Sequence, residues 1–364
     1  AVATLLAGIS TPIFRAIAWK TDFLDKPLGQ AHKRHGKATP LLGGAAMLTA
    51  WLITLVGGYF GALWLRPHLP PDLANAVAGL LTPRVQRLLL VITTGGLALA
   101  VMGAVDDRRP MGPLRKLILQ ILICAGIALC PDLQVTLFWE NPAVKWLMTL
   151  CWFTFIINAF NFLDNMDGLA AGLAFIASTL FAVVGALQQQ YFVAALGACT
   201  AGVTLGFYIY NCSPASIFMG DSGSHFLGYL LGVQGVLTKY YLDDISPTVG
   251  PVFIPALILG LPIFDIFAVC FIRWRLHKPI YSGDHNHISH RFLKLGLSRA
   301  LAVLLVHLLA LALGLGALPL LWLPSVGVWL VFGQAAAMLA LVTIVHWSGY
   351  RREKAMAAHE TAKA

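Results

Sequence analysis

The chain has 364 residues, of which 58% are hydrophobic and only 11% are charged, and its mean hydropathy is +0.77. Soluble domains carry about a quarter of their residues as charges, so this composition excludes a soluble globular protein. The net charge of +9 would suit either nucleic-acid binding or basic loops beside a membrane, and the positions of the charges decide between these two classes.

Apolar segments recur along the chain, and a spanning helix needs about 20 mostly apolar residues. We therefore predict an all-α polytopic membrane protein with about eleven transmembrane helices. The predicted spans are residues 1–18, 42–65, 86–105, 115–131, 144–162, 168–187, 191–210, 222–238, 250–272, 300–318 and 325–347.

The basic residues predict the orientation of these spans. Most of the 25 Lys and Arg residues lie in the connections after odd-numbered spans and in the C-terminal tail. Because positive residues mark the cytoplasmic side, we predict that the N-terminus lies outside and the C-terminus inside. Charges spread over separate loops also argue against a nucleic-acid partner.

The predicted domain organisation is simple. We predict one transmembrane domain over residues 1–350 and a polar cytoplasmic tail over 351–364. The loops predicted to form a cytoplasmic site are 19–41, 106–114, 163–167, 211–221 and 273–299. The chain opens in an apolar run without methionine, which predicts that its true start lies upstream.

Aspartates gather at the predicted cytoplasmic ends of separate spans. They are Asp106, Asp107, Asp164, Asp167 and Asp221, and Asp284 lies on the same predicted side in the long ninth loop. An acid near hydrocarbon costs about 3 kcal/mol on insertion scales; one Asp alone could be a helix cap, but four acid-bearing connections on one face indicate a site.

The residue types in these loops suit the binding of metal and phosphate. Carboxylate and amide oxygens are ligands for Mg²⁺, which often bridges substrate phosphates. Nearby Lys33, Arg115, Lys116 and Arg291 suit phosphate oxygens. The pattern indicates phosphoryl transfer between a soluble donor and a lipid.

Five motifs follow in order from about residue 25 to residue 296. They are DKPLGQAHKRHGKATPLLGG (Asp25 to Gly44), GAVDDRRPMGPLRKLILQ (Gly103 to Gln120), NAFNFLDNMDGL (Asn158 to Leu169), FMGDSGSHFLG (Phe218 to Gly228), and PIFDIFAVCFIRW followed by GDHNHISHRFLKLG (Gly283 to Gly296). In this order they resemble the polyprenyl-phosphate N-acetylhexosamine-1-phosphate transferases of glycosyltransferase family 4, especially the bacterial UDP-GlcNAc:undecaprenyl-phosphate GlcNAc-1-phosphate transferases.

This resemblance implies a reaction. N-acetylhexosamine 1-phosphate, most specifically GlcNAc 1-phosphate, would pass from a UDP-sugar to undecaprenyl or another polyprenyl phosphate, giving a polyprenyl-diphospho-sugar and UMP. It also implies a homodimer that uses Mg²⁺, with Mn²⁺ as a substitute, in the cytoplasmic (inner) membrane. The reaction would be the first membrane step of a cell-envelope glycopolymer such as lipopolysaccharide or O-antigen.

The resemblance also implies residue roles by position in the motifs. The implied metal ligands are Asp221 and Asn161. The implied nucleotide-binding residues are Asp167, Asn158 and Gly168. The implied catalytic residues are Asp106, Asp107 and Asp164; whether Asp106 acts as a base stays open, because a phosphomonoester with a second pKa near 6 is already mostly ionised at pH 7. The implied pyrophosphate- and sugar-binding residues are Lys116, His287, His290, Arg291, Lys33 and His35.

The chain departs from the family pattern at two positions. Asn165 stands where glycine is common, and because Asn tolerates left-handed backbone, we expect the turn to be kept. Ser289 stands where many GlcNAc-1-phosphate transferases have histidine. In addition, Asp265 lies eight residues before Arg273 on roughly one helix face, as a structural contact or as support for the histidine loop.

Several alternatives remain open at this stage. A phospho-MurNAc-pentapeptide transferase is nearest, although its loop usually carries three consecutive histidines. An anionic-substrate transporter would place its acids at mid-bilayer in broken helices. A CDP-alcohol phosphotransferase would need an arginine that DGLAAG lacks, and a non-catalytic scaffold would not need five polar motifs. His285, His287 and His290 would alternatively form a zinc site.

Overall fold

A computed structural model of the chain describes residues 1–26, 38–136, 139–241, 246–279 and 286–361, and the side chains of 345–346 and 348–361 are not described. The helices are α1 (Val2–Lys20), α2 (Gly43–Leu65), α3 (Pro71–Leu80), α4 (Pro83–Arg108), α5 (Pro113–Ile127), α6 (Pro142–Leu163), α7 (Leu169–Leu187), α8 (Tyr191–Asn211), α9 (Gly220–Leu237), α10 (Ile254–Ile258), α11 (Gly260–Arg275), α12 (Ile288–Lys294), α13 (Arg299–Ala317) and α14 (Ser325–Thr361). Short 3₁₀ helices lie at Arg66–His68, Pro131–Leu133, Gly250–Phe253 and Leu318–Leu321.

One short antiparallel pair accompanies the helices. Strand β1 (Leu24–Asp25) pairs with β2 (Thr39–Pro40), so that Leu24 lies opposite Pro40. The described residues divide into two compact units, one ending at Tyr240 and the other beginning at Tyr241. A single domain over residues 1–350 therefore stays a prediction.

A helix lies at each of the eleven predicted spans. Among the described residues, eight helices are long and apolar enough to cross a membrane, or nine spans if a bent pair counts as one. That bent pair, Gly250–Ile258 with Gly260–Arg275, turns by 67° within the predicted span 250–272. The chain is thus a multi-pass helical membrane protein, while the count of eleven and the orientation stay predictions.

Two predicted spans do not meet this length and composition test, for different physical reasons. Helix α5 has 15 residues, which is about 22 Å of helix, shorter than the roughly 30 Å hydrocarbon layer. Helix α9 has 18 residues, but its glycines and polar residues lower its mean hydropathy. The tail also differs from a simple loop, because α14 continues through it to Thr361.

Helix α9 is the centre of the first unit. Every residue from Ser222 to Gly235 is buried, and the helix packs against α2, α4 and α6. Backbones approach closely at two glycines: a Cβ at Gly103 of α4 would overlap the Asp221–Ser222 backbone, and one at Gly44 of α2 would overlap the Gly223 backbone. These contacts fix the start of α9 against the end of α4.

We expect Gly103→Ala to destabilise the protein, because the added methyl group meets backbone that has no rotamer to relieve the overlap. Overpacking of this kind costs about 1–3 kcal/mol. Thermal unfolding of the purified protein in detergent measures the effect. Gly57→Ala in α2 is the matched control, because a Cβ there meets nothing within 4 Å; equal unfolding temperatures for the two variants would contradict the prediction.

Candidate active site

The ends of four helices in the first unit bring acidic and amide side chains together. Helix α4 ends with Asp106 and Asp107, α6 contributes Asn161, and α9 begins with Asp221 beside Lys116 of α5. Residues of the loops 106–114 and 163–167 each contact the loop 211–221, because the Asp221 N–H donates to Asp107 and the Ala215 N–H donates to Asp167; that these loops form a cytoplasmic site stays a prediction.

Asp221 is the residue with the most partners in this group. Its Oδ1 accepts a hydrogen bond of 2.6 Å from Asn161 Nδ2, which also lies 2.9 Å from Ser224 Oγ. Its Oδ2 pairs with the Lys116 ammonium, and that ammonium lies 3.2 Å from Asp106 Oδ2. Lys116 therefore bridges two carboxylates, one of which is the implied metal ligand.

Asp107 caps the N-terminus of α9. Its Oδ1 accepts a hydrogen bond of 2.9 Å from the Asp221 N–H, and its Oδ2 accepts one of 3.2 Å from the Ser222 N–H. Gly220 has φ +66°, and a Cβ there would lie 2.5 Å from Asp107 Oδ2. Asp107 thus holds the backbone that carries Asp221, while its implied catalytic role stays a prediction. The Asp106 carboxylate instead accepts the Met111 N–H at 2.7 Å.

The turn after α6 is held to the loop before α9. Asp167 Oδ2 accepts a hydrogen bond of 3.0 Å from the Ala215 N–H, and the Gly168 N–H donates to Asn211 Oδ1 at 3.1 Å. Gly168 has φ +75°. Gly168 is thus the left-handed residue of this turn, and Asn165 has an ordinary backbone conformation, since in the described chain the non-glycine residues with positive φ are Asp22, Gln189 and His277.

Asn158 precedes Asn161 in α6, and its side chain contacts residues outside the acidic group. Its Nδ2 donates to Gln120 Oε1 at 3.0 Å and to the Thr154 carbonyl at 2.7 Å. This side-chain amide therefore links α6 to α5, and its implied nucleotide contact stays a prediction.

Charge is unevenly compensated in this group. Burial acts to raise the pKa of Asp221, but the Lys116 ammonium holds this pKa below its ordinary value. Burial raises the pKa of Asp164 to about 8, and the carboxylates of Asp221, Asp107 and Asp167 add to this effect. Asp164 has no side-chain hydrogen bond among the described residues, so its surroundings favour either a proton or a cation.

The donor set suits Mg²⁺ better than an all-protein metal cage. Within the described part of the chain, no three His, Cys, Asp or Glu residues form a metal-holding group. Mg²⁺ usually keeps several waters and takes one or two carboxylates together with substrate phosphates. Asp221, Asn161 and the excess of negative charge near Asp164 fit that mode. His287 and His290 belong to no such group among the described residues, and His285 lies outside the described residues.

A second polar cluster lies in the second unit. His287 Nδ1 lies 2.7 Å from Asp265 Oδ2, and the Ile288 N–H donates to Asp265 Oδ1 at 2.8 Å. The rings of His287 and His290 are 6.5 Å apart, and Arg291 Nη2 donates to Asn286 Oδ1 at 2.9 Å. Three of the implied sugar- and pyrophosphate-binding residues thus share one short segment.

Lys33 and His35 lie outside the described residues, as does Asp284. The adjoining described segment is anchored to α4, because Arg108 Nη1 donates to the Thr21 carbonyl at 3.2 Å and its guanidinium lies over the Phe23 ring.

The sequence reasoning missed three supporting residues. Ser224 contacts Asn161, Gln120 contacts Asn158, and Asn211 binds the Gly168 N–H. Ser224 and Gln120 lie inside two of the five motifs, and this position was the sequence signal that could have identified them. Asn211 lies outside them, at the end of an apolar helix.

Comparisons with known proteins match most of the chain. A family model described as glycosyl transferase family 4 matches residues 89–239. A protein of Bacillus subtilis (strain 168) named "Probable undecaprenyl-phosphate N-acetylglucosaminyl 1-phosphate transferase" is 32% identical over 90% of this chain and 85% of its own length. A decaprenyl-phosphate N-acetylglucosaminephosphotransferase of Mycolicibacterium smegmatis is 30% identical over 85% of this chain and 79% of its own length. A phospho-N-acetylmuramoyl-pentapeptide-transferase of Geobacillus kaustophilus is 32% identical over 70% of this chain and 78% of its own length.

We expect Asp164→Asn to stabilise the metal-free protein increasingly as the pH rises from about 5 to about 8. An acid whose pKa is raised on folding contributes its full stabilisation at pH values below its ordinary pKa, which is 3.8 for Asp164. That contribution is lost as the pH rises through about 8, the pKa in the folded protein. Unfolding temperatures of wild type and variant in EDTA test this. Adding Mg²⁺ should narrow the difference, and a difference independent of pH would contradict the assigned environment.

Proposed function

Since this chain belongs to glycosyl transferase family 4, we propose that it transfers N-acetylhexosamine 1-phosphate from a UDP-sugar to a polyprenyl phosphate. The proposed sugar is GlcNAc and the proposed lipid is undecaprenyl phosphate; the products are the polyprenyl-diphospho-sugar and UMP. The proposal includes a homodimer in the cytoplasmic (inner) membrane, acting at the first membrane step of a cell-envelope glycopolymer.

The observation that carries the proposal is the joining of Asp221, Asn161, Asp106 and Lys116 in one hydrogen-bonded and ionic group at helix ends. A transferase acting on a lipid phosphate needs metal-binding oxygens and a phosphate-binding cation at the membrane surface. In this group the cation and the metal-binding oxygens are already in contact.

We propose that Asp221 and Asn161 hold Mg²⁺, with Mn²⁺ as a substitute. When bound, the ion would neutralise the pyrophosphate and assist departure of UMP. Asn161 can offer its amide oxygen by rotation of the amide group, whose O and N positions are assigned from the hydrogen-bond network. Lys116 would then pair with pyrophosphate oxygens, an ammonium–phosphate contact that replaces its pair with Asp221.

The remaining residues supply position and charge. Asp107 holds the start of α9, and with it the direction of the Asp221 side chain. Asp106 and Asp164 are proposed as the groups nearest the incoming lipid phosphate, Asp106 as its base or as an electrostatic group. Because the lipid chain confines that phosphate to one depth, approach to the UDP-sugar loses much of its translational freedom before reaction.

Asp167, Gly168 and Asn158 are proposed to bind the nucleotide, and His287, His290, Arg291, Lys33 and His35 to bind the sugar and pyrophosphate. The Asp167 carboxylate accepts the Ala215 N–H through one oxygen, which leaves its other oxygen available as an acceptor for a nucleobase N–H.

The alternatives receive less support. The phospho-MurNAc-pentapeptide transferase of Geobacillus kaustophilus matches less of this chain than the two N-acetylglucosamine-phosphate enzymes do. For an ion-coupled transporter, Asp265 within the bent pair is the natural ion-binding acid, yet its side chain is fully buried, whereas that of Asp221 is 27% exposed.

The reaction is tested with purified protein in detergent, undecaprenyl phosphate, and UDP-GlcNAc carrying ³²P in its β-phosphate. Radioactivity entering the lipid with release of UMP supports phospho-sugar transfer. Transfer of sugar alone would leave the label in UDP, and this result would overturn the proposal. UDP-GalNAc and UDP-MurNAc-pentapeptide serve as competing donors, with Mg²⁺ or EDTA in parallel.

We expect Asp221→Asn to lower Mg²⁺-dependent turnover by at least about 100-fold. Mutation of residues that only support a metal ligand typically costs 10–100-fold, and Asp221 is proposed as a direct ligand. The matched control is Asp132→Asn, which also removes an ion-paired carboxylate, here one bound to Arg84 and Arg87. The control should keep normal turnover. Near-normal turnover of Asp221→Asn at limiting Mg²⁺ would refute the metal assignment.

A further inference from the structure

We propose that Asp265 is a positioning residue that fixes the proton of His287 on Nδ1 and thereby sets how the ring's Nε2 meets the substrate. This inference rests on the proposed function, because that function assigns His287 to the sugar or the pyrophosphate. Asp265 itself touches no substrate in this account and acts through the histidine.

The contact has a geometry that fixes the carboxylate completely. One oxygen of Asp265 lies 2.7 Å from His287 Nδ1, and the other accepts the Ile288 N–H at 2.8 Å. The two partners are consecutive residues, 22 and 23 positions further along the chain. Asp265 therefore ties the beginning of α12 to the middle of α11 by a side chain and a backbone group at once.

Burial makes this contact energetically demanding. Asp265 is 0% exposed and His287 is 5% exposed. A carboxylate removed from water is costly unless hydrogen bonds and positive charge compensate it. A hydrogen bond that only joined the two helices could use a neutral side chain, with a smaller free-energy cost of burial. The presence of a buried acid therefore indicates a need that a neutral group does not meet.

That need is control of the imidazole proton. An ionised carboxylate only accepts hydrogen bonds, so the ring nitrogen beside it must carry hydrogen. With Nδ1 protonated, Nε2 accepts a hydrogen bond from a sugar hydroxyl or N-acetyl N–H when the ring is neutral, and donates to a phosphate oxygen when the ring is charged. Carboxylates behind functional histidines set the ring tautomer and orientation in this way.

Asp265→Asn separates tautomer control from structural support. The Asn oxygen can still accept the Ile288 N–H, while its NH₂ group faces His287 Nδ1 and favours the tautomer with hydrogen on Nε2. The variant keeps the size of the side chain and both of its hydrogen bonds, with the direction of the one to His287 reversed. A purely structural role therefore predicts little loss, and tautomer control predicts a large one.

The kinetic test compares wild type, Asp265→Asn, His287→Ala and the double variant, with Asp132→Asn as the control for loss of a carboxylate. We expect Asp265→Asn to lower kcat/KM for the UDP-sugar by about 10–100-fold, as outer partners of functional histidines do. When His287 is already replaced by alanine, Asp265→Asn should lower kcat/KM no further, because Asp265 acts through His287. Unfolding temperatures of all variants are measured alongside.

A spectroscopic test reads the proton directly. Protein labelled with ¹⁵N-histidine gives ring-nitrogen shifts that distinguish the two tautomers, and His287→Ala identifies the signal. We expect the wild type to carry hydrogen on Nδ1 and Asp265→Asn to carry it on Nε2. A wild-type ring with hydrogen on Nε2 alone would overturn the proposal, even if Asp265→Asn fails to fold.

The remaining outcomes separate this inference from the proposed function. Loss of activity in His287→Ala with normal activity in Asp265→Asn overturns the positioning role and leaves the transferase proposal intact. An equal further loss from Asp265→Asn in the His287→Ala background also overturns it, since Asp265 would then act independently. Absence of transfer by wild type with every donor defeats the proposed function, and the proposal for Asp265 falls with it, whatever tautomer the spectra report.

Discussion

The geometry of the candidate site depends on the capping of α9 by Asp107. Two backbone N–H groups at the start of that helix donate to the two oxygens of one carboxylate, and the glycine at 103 lets the α4 backbone approach closely enough for this contact. A helix N-terminus carries partial positive charge, which a carboxylate stabilises. Asp221 is the first acidic residue of the capped helix, so its position relative to α4 follows from this interaction. The bridge through Lys116 and the hydrogen bond from Asn161 are built on the position that Asp107 sets.

The electrostatic balance around that cap is the physical basis for the proposed binding of a divalent ion. Lys116 is the cation that pairs with Asp106 and Asp221 among the described residues of this group, while the pKa of Asp164 is raised by burial and by three further carboxylates. A packed interior would normally avoid such an excess of like charge. Retaining it favours binding of positive charge from solution, and it makes the metal-free protein less stable than a neutral counterpart of the same shape.

Sequence periodicity was sufficient to place most of the helices, whereas the site residues were assigned from the resemblance, and neither could supply the contacts between those residues. At least one helix lies at each predicted span, two of them at the bent pair, and the resemblance assigned Asp106, Asn161 and Asp221 to one proposed site. Two details could not be read from residue types. The left-handed position in the turn falls on Gly168, and the N–H of that residue donates to Asn211 Oδ1. Ser289 is fully buried, so a histidine at that position would meet packed neighbours, a constraint that a one-letter motif does not contain.

The burial of α9 also bears on how the chain enters the bilayer. In the described residues the α-helices that pack most extensively against α9 are α2, α4, α6, α7 and α8, and every one of them precedes it in the chain. A segment containing Ser222, Ser224, His225 and Gln234 partitions poorly into lipid by itself. During synthesis these neighbouring helices have already emerged when α9 leaves the ribosome. Helix α9 can therefore move from water into contact with helices and does not have to be surrounded by lipid acyl chains. The order of the helices along the chain thus suits the insertion of a weakly apolar helix that carries part of the candidate site.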